Sequence, residues 1–155
     1  ADKLERLTSK YPDCSGQIAS APALAEAVVK ADLVVSAVMV AGRRAPVVIS
    51  EAMVDAMAAG SVIVDIAIDQ GGSVENIQAT SYEQPYYEHN DVLLHAVPNL
   101  PGAVPRTASQ ALSSVVLPYV MDLLEHGPEA AGLKPATAVH DGAVVDPVLK
   151  QELRL

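Results

Sequence analysis

Short runs of apolar residues, many of them β-branched, recur along the chain between polar segments that contain glycine or proline. Three of these runs predict strands buried on both faces of a parallel sheet: residues 32–40, 62–68 and 92–97. Apolar residues at helical spacing predict a helix capped by Ser20 and another running from Ser50 to Gly60. Strands and helices that alternate with short joins are typical of a parallel sheet with right-handed crossovers, so the predicted class is α/β.

A long helical pattern begins with Thr107 and Gln110, which have the spacing of a capping box, and stops before residues 127–128. Its apolar positions form a continuous stripe: Leu112, Val115, Val116, Tyr119, Val120, Leu123 and Leu124. Pro118 lies inside the pattern and removes one backbone N–H donor, so we expect a kink there. Residues 129–155 predict a short helix, a turn and a terminal helix, which form an appendage and not a separate domain.

Composition and charge restrict the classes of function. Half of the 155 residues are hydrophobic, but phenylalanine and tryptophan are absent, so Ala, Val, Leu and Ile must build the core. The net charge of −9 argues against nucleic acid or an anionic membrane as a partner. The single cysteine, Cys14, excludes an internal disulfide, and the scattered histidines predict no metal site. No apolar run has the length of a membrane span and no signal peptide is recognisable, so we expect a cytoplasmic location.

Candidate chemistry is concentrated in the segment SVIVDIAIDQGG, residues 61–72, where two acids interrupt an apolar run. An unpaired buried carboxylate is costly, so Asp65 and Asp69 each need a partner or access to solvent. Asp69 is predicted at the carboxyl end of the strand, the position outside which ligands bind in open α/β sheets. Two glycines follow it and would let a ligand approach the backbone closely. Asp69 is therefore a site candidate, with a structural role as a loop cap as the alternative.

Three consecutive predicted strands end in residues 38–39, 68–69 and 97–99, which should lie side by side at one edge of a parallel sheet. Apolar backbone with one acid and one amide suits a flat heteroaromatic ring and a small polar substrate. The alternative is that these strand ends only pack under loops. The chain contains no G-x-G-x-x-G and no P-loop sequence, so a phosphate-binding glycine-rich turn is not predicted.

Three segments resemble the alanine dehydrogenase and transhydrogenase α-subunit family: ADLVVSAVMVAGRRAP (31–46), GSVIVDIAIDQGGSVE (60–75) and HAVPNLPGAVPRTASQAL (95–112). The match is strongest to alanine dehydrogenase, which uses NAD to interconvert L-alanine with pyruvate and ammonia. The resemblance implies the second half of a Rossmann-type doubly wound parallel sheet over residues 1–103. It implies a long inter-domain helix and a C-terminal return to the substrate domain over residues 104–155.

The resemblance also implies roles for individual residues. Asp69 corresponds to the catalytic acid beside the nicotinamide, and Asn99 is placed to touch the substrate carboxylate. The implied cofactor contacts are Lys3, Ser20, Val38, Met39, Ile66, Ala67, Ile68, Asp69, Val97, Pro98, Asn99 and Leu100. Pro98 stands where the family usually has alanine, and its ring allows a contact through the carbonyl but not through an N–H.

The family's N-terminal substrate-domain segment, its glycine-rich turn, its catalytic histidine and its substrate-binding lysine and arginine have no counterparts in this sequence. The resemblance therefore implies a fragment that is inactive alone and acts with the remaining N-terminal part, in a homo-oligomer that is a hexamer when complete. Two alternatives stay open. One is a truncated or split nucleotide-binding module without turnover, and the other is an NAD(H)-binding domain like that of the transhydrogenase α-subunit.

Overall fold

A four-stranded, mostly parallel sheet organises the fold in the computed structural model, which describes residues 2–130 and 132–154. Its strands are β1 (Leu33–Ser36), β2 (Val62–Asp65), β3 (Tyr87–His89) and β4 (Val92–His95). Their order in the sheet is β1-β2-β4-β3, with β1, β2 and β4 parallel and β3 antiparallel at the edge. The predicted α/β class is confirmed.

Three helices precede the second strand, and two of them, the second and third, pack against one face of the sheet. Helix α1 spans Asp2–Lys10, α2 spans Ala21–Lys30 and α3 spans Glu51–Asp55. The core lies between α2, α3 and the strands, and it comprises Val28, Ile49, Val54, Met57, Ile63, Val74, Val92 and Leu94. The helix predicted to reach Gly60 ends at Asp55, and the Gly60 N–H instead donates to the Asp91 carbonyl at 2.7 Å.

The opposite face of the sheet is largely uncovered. Leu33 and Val35 on β1 are 58% and 54% exposed, and β2 and β4 alternate between buried and half-buried positions. The prediction of strands buried on both faces is therefore wrong for this chain. Alternate side chains of a strand point to opposite faces, and the described residues cover one face only.

The second strand is shorter than the apolar run that predicted it. Strand β2 ends at Asp65, and Ile66–Gln70 form a 3-10 turn. The Asp65 carboxylate accepts the N–H of Ala67 at 2.9 Å, which caps the turn and diverts the chain away from the sheet. Asp69 was predicted at the end of the strand, and this prediction is wrong, because Asp69 lies one turn beyond it.

Strands β3 and β4 form a hairpin through a two-residue turn. Asn90 and Asp91 have φ angles of 49° and 63°, the left-handed conformation that hairpin turns with two loop residues require. Asparagine and aspartate tolerate this conformation better than other residues with side chains. The turn therefore sets the antiparallel register in which His89 pairs with Val92.

The C-terminal part begins with α4 (Pro105–His126), a helix of 22 residues that continues through Pro118. It starts earlier than predicted, at a proline that suits a first turn, and Val104 at its N-cap makes no side-chain bond, so the capping-box prediction is wrong. A small hairpin of β5 (Val139–His140) and β6 (Ala143–Val144) and helix α5 (Pro147–Leu153) follow. Across the described ranges, no helix combines the length and apolar character needed to cross a membrane.

Candidate functional site

The turn at the carboxyl end of β2 is built around the Asp65 side chain, which is 1% exposed. One carboxylate oxygen, Oδ1, accepts the N–H of Ala67 at 2.9 Å and the hydroxyl of Ser73 at 3.1 Å. The other, Oδ2, accepts the N–H groups of Ser73 at 2.7 Å and Val74 at 3.2 Å. The expectation that this buried acid needs partners is confirmed, because the loop after the strand supplies them all.

Asp69 is exposed and lies within the turn that Asp65 closes. Its two carboxylate oxygens accept the N–H of Asn99 at 3.0 and 3.2 Å, across a separation of 30 residues. Asn99 has a φ of 53°, and its carbonyl accepts the hydroxyl of Tyr82 at 2.9 Å. Asp69 thus joins the segment after β2 to the segment after β4, as its loop-capping interpretation requires, and it keeps access to solvent for a ligand.

The other predicted site residues fall into two groups. Those at the carboxyl edge of the sheet follow β1, β2 and β4, and they are Val38, Met39, Ile66, Ala67, Ile68, Val97, Pro98, Asn99 and Leu100. Met39 and Ile66 are the more exposed apolar members at 69% and 44%, whereas Ala67 and Val97 are buried. Lys3 lies on α1, and Ser20 caps α2 by accepting the Ala23 N–H at 3.3 Å. Neither Lys3 nor Ser20 lines the grooves beside Asp69 and Asn99.

Asp69 and Asn99 each line a different open groove. The first, about 500 Å³, is lined by Gly42, Arg43, Arg44, Asp69, Gln70 and Gly71. The second, about 610 Å³, is lined by Asn99, Pro101, Gly102, Pro105, Ala108, Ser109, Ala111, Leu112 and Val115. The first groove is polar and basic on one side, and the second extends along the apolar surface of α4.

Arg44 lines the first groove, and the sequence did not single it out as a site residue. A Cβ at Gly71 would lie 2.9 Å from the Arg44 Nε, so the guanidinium rests against the glycine backbone beside Asp69. The neighbouring Arg43 is instead tied to α5, where it donates to Gln151 Oε1 at 2.6 Å and lies 3.8 Å from Glu152. The signal available in the sequence was the pair of arginines directly after the first predicted strand. A cation in this groove would favour an anionic ligand group.

Metal ligands are not gathered at this edge or elsewhere in residues 2–130 and 132–154, where no three His, Cys, Asp or Glu side chains are placed to bind one ion.

Gly72 lies at the end of the turn, where both its left-handed backbone and its close neighbours disfavour a side chain. Its φ is 79°, and an added Cβ would overlap Ile77 and lie 3.3 Å from Asp65 Oδ2. Gly72→Ala should therefore lower the free energy of unfolding by about 1–2 kcal/mol from the left-handed backbone. Overlap should lower it by about 1–3 kcal/mol more. Urea unfolding measures the loss.

Gly60→Ala is the matched control for this prediction. Gly60 has a similar φ of 85°, but nothing lies within 4 Å of an added Cβ. This variant should show the backbone penalty alone. Equal losses in the two variants would contradict tight packing of the turn against Ile77 and Asp65.

A mainly parallel α/β domain with its polar groups gathered at the carboxyl edge of the sheet defines the general class of this protein. Residues 1–147 match the family described as alanine dehydrogenase/PNT, C-terminal domain. The chain therefore belongs to this family, as its sequence segments indicated.

Known relatives agree with the family match. The alanine dehydrogenase of Mycobacterium tuberculosis strain H37Rv is 40% identical over 153 residues, which cover 93% of this chain and 40% of that protein. The alanine dehydrogenase of Bacillus subtilis strain 168 is 43% identical over 144 residues, covering 92% of this chain and 38% of that protein. The chain thus spans about two fifths of the length of these curated relatives.

Solved structures extend the comparison to the fold. A structure of L-alanine dehydrogenase superposes with a TM-score of 0.78 at 39% identity, covering 99% of this chain and 44% of that one. The transhydrogenase from Sinorhizobium meliloti superposes with a TM-score of 0.65 at 28% identity, covering 85% of this chain and 37% of that one. The parallel sheet and the long helix α4 are therefore the fold of the alanine dehydrogenase C-terminal domain.

Proposed function

We propose that this chain is the part of an NAD-dependent L-alanine dehydrogenase that holds the nicotinamide end of the cofactor and supplies the catalytic acid, Asp69. The observation that carries the proposal is the Asp69–Asn99 contact at the carboxyl edge of the sheet. In this contact an exposed carboxylate accepts the backbone N–H of a residue whose own side chain is exposed, at the edge where α/β sheets bind ligands. Identity of about 40% to alanine dehydrogenases supplies the reaction class, an oxidoreductase.

The described residues fit the nicotinamide end of the cofactor. Met39 and Ile66 present exposed apolar side chains in the segments that follow β1 and β2, a surface that suits a flat ring. The backbone groups proposed to contact the cofactor belong to Val38, Met39, Ile66, Ala67, Ile68, Val97, Pro98, Asn99 and Leu100. Lys3 and Ser20 are proposed for its adenosine side. When bound, NAD supplies a hydride acceptor.

Asp69 and Asn99 would serve the substrate in different ways. Asp69 reaches solvent, so it can exchange a proton with the amino group of alanine or with the attacking water. Its bond to the Asn99 N–H fixes the carboxylate relative to the segment after β4 and leaves further acceptor capacity on both oxygens. The Asn99 side-chain amide is a donor suited to the substrate carboxylate.

The uncovered surfaces support a role within a larger assembly. Parallel sheets normally have both faces covered, yet Leu33 and Val35 are more than half exposed on one face. We propose that the family's N-terminal part covers this face and supplies the glycine-rich turn and the charged substrate anchors. In this proposal residues 1–103 complete the NAD domain, and residues 104–155 cross back to the substrate domain. The complete enzyme would be a cytoplasmic homo-hexamer.

A second candidate is a nucleotide-binding module without turnover of its own, as a split protein or as an NAD(H)-binding domain like that of the transhydrogenase α-subunit. Two observations favour keeping it. The chain covers about two fifths of its relatives, and the Sinorhizobium meliloti transhydrogenase shares its fold. Turnover of alanine distinguishes this candidate from the first.

Reconstitution tests the proposal. The purified chain alone should not reduce NAD with L-alanine, because its sequence contains no glycine-rich turn of the kind that brings a helix N-terminus to the pyrophosphate. Supplied with the N-terminal part of an alanine dehydrogenase, from its own reading frame or from Bacillus subtilis, it should form NADH and pyruvate. Turnover by the chain alone would contradict the need for a partner. An assembly that binds NADH but never oxidises alanine would favour the binding module.

A further inference from the structure

Asp65 is a buried acid that the proposed chemistry does not use. We propose that it is a positioning residue, which acts through the turn of residues 66–74 to place Asp69 against Asn99. The inference rests on the proposed function, since Asp69 is the proposed catalytic acid. Under this proposal, catalysis depends on a second acid of the same short segment, although Asp65 does not contact the substrate.

The hydrogen bonds of Asp65 close the turn on both sides of Asp69. Ala67, two residues before Asp69, donates its N–H to Oδ1. Ser73 and Val74, after Asp69, donate their N–H groups to Oδ2. A single carboxylate therefore determines where the turn leaves β2 and where it returns, and Asp69 lies on the arc between these two points.

The same carboxylate connects the turn to the neighbouring strand. Ser73 donates its hydroxyl to Asp65 Oδ1 at 3.1 Å, and its oxygen lies 2.6 Å from the hydroxyl of Ser36 on β1. Because Ser73 uses its proton on Asp65, Ser36 is the donor in that pair. All three side chains are buried, where charge-assisted hydrogen bonds are strong and unpaired donors are costly.

Asp65→Asn tests the hydrogen-bond acceptors of Asp65 without changing the shape of its side chain. Asparagine keeps the volume of Asp65, but its NH₂ group cannot accept from an N–H. If the NH₂ replaces Oδ1, the remaining oxygen still accepts the N–H groups of Ser73 and Val74, and the Ser73 hydroxyl can accept from the NH₂. The Ala67 N–H is then left without an acceptor. Asp65→Asn should therefore loosen the start of the turn while the sheet and core remain folded.

Hydrogen–deuterium exchange of the complete protein tests the positioning directly, without relying on activity. In Asp65→Asn, amides in residues 66–74 should exchange faster than in wild type, and so should the Asn99 amide that Asp69 holds. Asp32→Asn is the matched control. It makes the same chemical change at an exposed position directly before β1, at the end of that strand away from Ser36 and Asp65. Faster exchange confined to residues 66–74, with Asn99 unchanged, would overturn the proposal and leave Asp65 a purely structural residue.

Kinetics of the reconstituted enzyme give the second readout, with turnover expressed per NADH-binding site so that unfolded protein does not count. A displacement of about 1 Å can cost about 10²-fold, so Asp65→Asn should lower kcat by between about tenfold and 10²-fold. In an Asp69→Asn background the same change should cost less than about threefold, since residues that act as a unit are not additive. An equal loss in both backgrounds, or no loss in wild type, would overturn the proposal.

Misfolding of the variant and inactivity of the wild-type assembly can be told apart. If Asp65→Asn does not fold, Ser73→Ala retains the carboxylate and removes one donor, and it should show the same pattern with a smaller loss; wild-type exchange at Asn99 in that variant would overturn the proposal. If the wild-type assembly does not oxidise alanine, the proposed function fails, whereas the exchange at Asn99 still decides whether Asp65 positions Asp69.

Discussion

Replacing Asp69 by asparagine in the reconstituted enzyme should lower turnover by about 10²–10⁴-fold, the usual contribution of a proton-transferring side chain, with little change in NAD affinity. Asparagine retains an oxygen that can accept the Asn99 N–H, so the link between the segments after β2 and β4 should survive. It removes the group that can gain and lose a proton. Steady-state kinetics and NADH titration measure the two effects separately.

Asp91→Asn is the control for this prediction. Asp91 is also exposed but lies at the opposite end of β4, in a turn whose left-handed backbone asparagine tolerates. It should leave turnover near wild type. If Asp69→Asn were equally active, Asp69 would be the structural loop cap that the sequence allowed as an alternative, and the proposed catalytic acid would be wrong.

The chain expressed alone should self-associate through α4, despite a net charge of −9 that opposes association. None of the residues of α4 is buried, and Leu112, Val115 and Leu124 are 65%, 64% and 74% exposed. Burying one such side chain stabilises an interface by about 1.5–3 kcal/mol. Replacing all three by glutamine, a good helix former, should therefore weaken association by about a thousandfold or more. Sedimentation over a range of concentrations measures the shift toward monomer.

Ser113→Gln provides the comparison, because it adds the same side chain to α4 at a polar exposed position. It should associate like wild type. A wild-type chain that sediments as a single monomeric species and binds no hydrophobic dye would show that the exposed surface of α4 does not drive association.

Local sequence patterns predicted much of the fold. Three apolar runs located β1, β2 and β4, and the first two are rich in β-branched residues, which fit a pleated surface. Ser20 and Ser50 marked the starts of α2 and α3 by side-chain bonds that span three residues. The family followed from three contiguous segments, and the match over residues 1–147 confirmed it. The individual site roles assigned by that resemblance stay predictions.

Some errors arose where an element's end depends on a competing interaction. The apolar run to Ile68 predicted strand, but Asp65 accepts the Ala67 N–H and turns the chain at the third residue before that end. The capping box at Thr107 was unused, because Pro105 already provides a suitable first turn for α4. Periodicity reports which face of an element is apolar and does not report which of two local hydrogen-bond patterns wins.

The sequence by itself determined that this is an α/β protein of the alanine dehydrogenase/PNT family, and that Asp65 and Asp69 both needed partners or solvent. Only the tertiary structure decided which of the two acids is buried with hydrogen-bond partners and which one reaches solvent. Asp65 is enclosed by the returning loop at Ser73 and Val74, and Asp69 reaches Asn99 across 30 residues and stays exposed. The physical reason is that the Asp69–Asn99 bond joins segments 30 residues apart, and the loop around Asp65 is held to β1 by the Ser36–Ser73 pair, 37 residues apart, so both arrangements exist only once β1, β2 and β4 have paired in register.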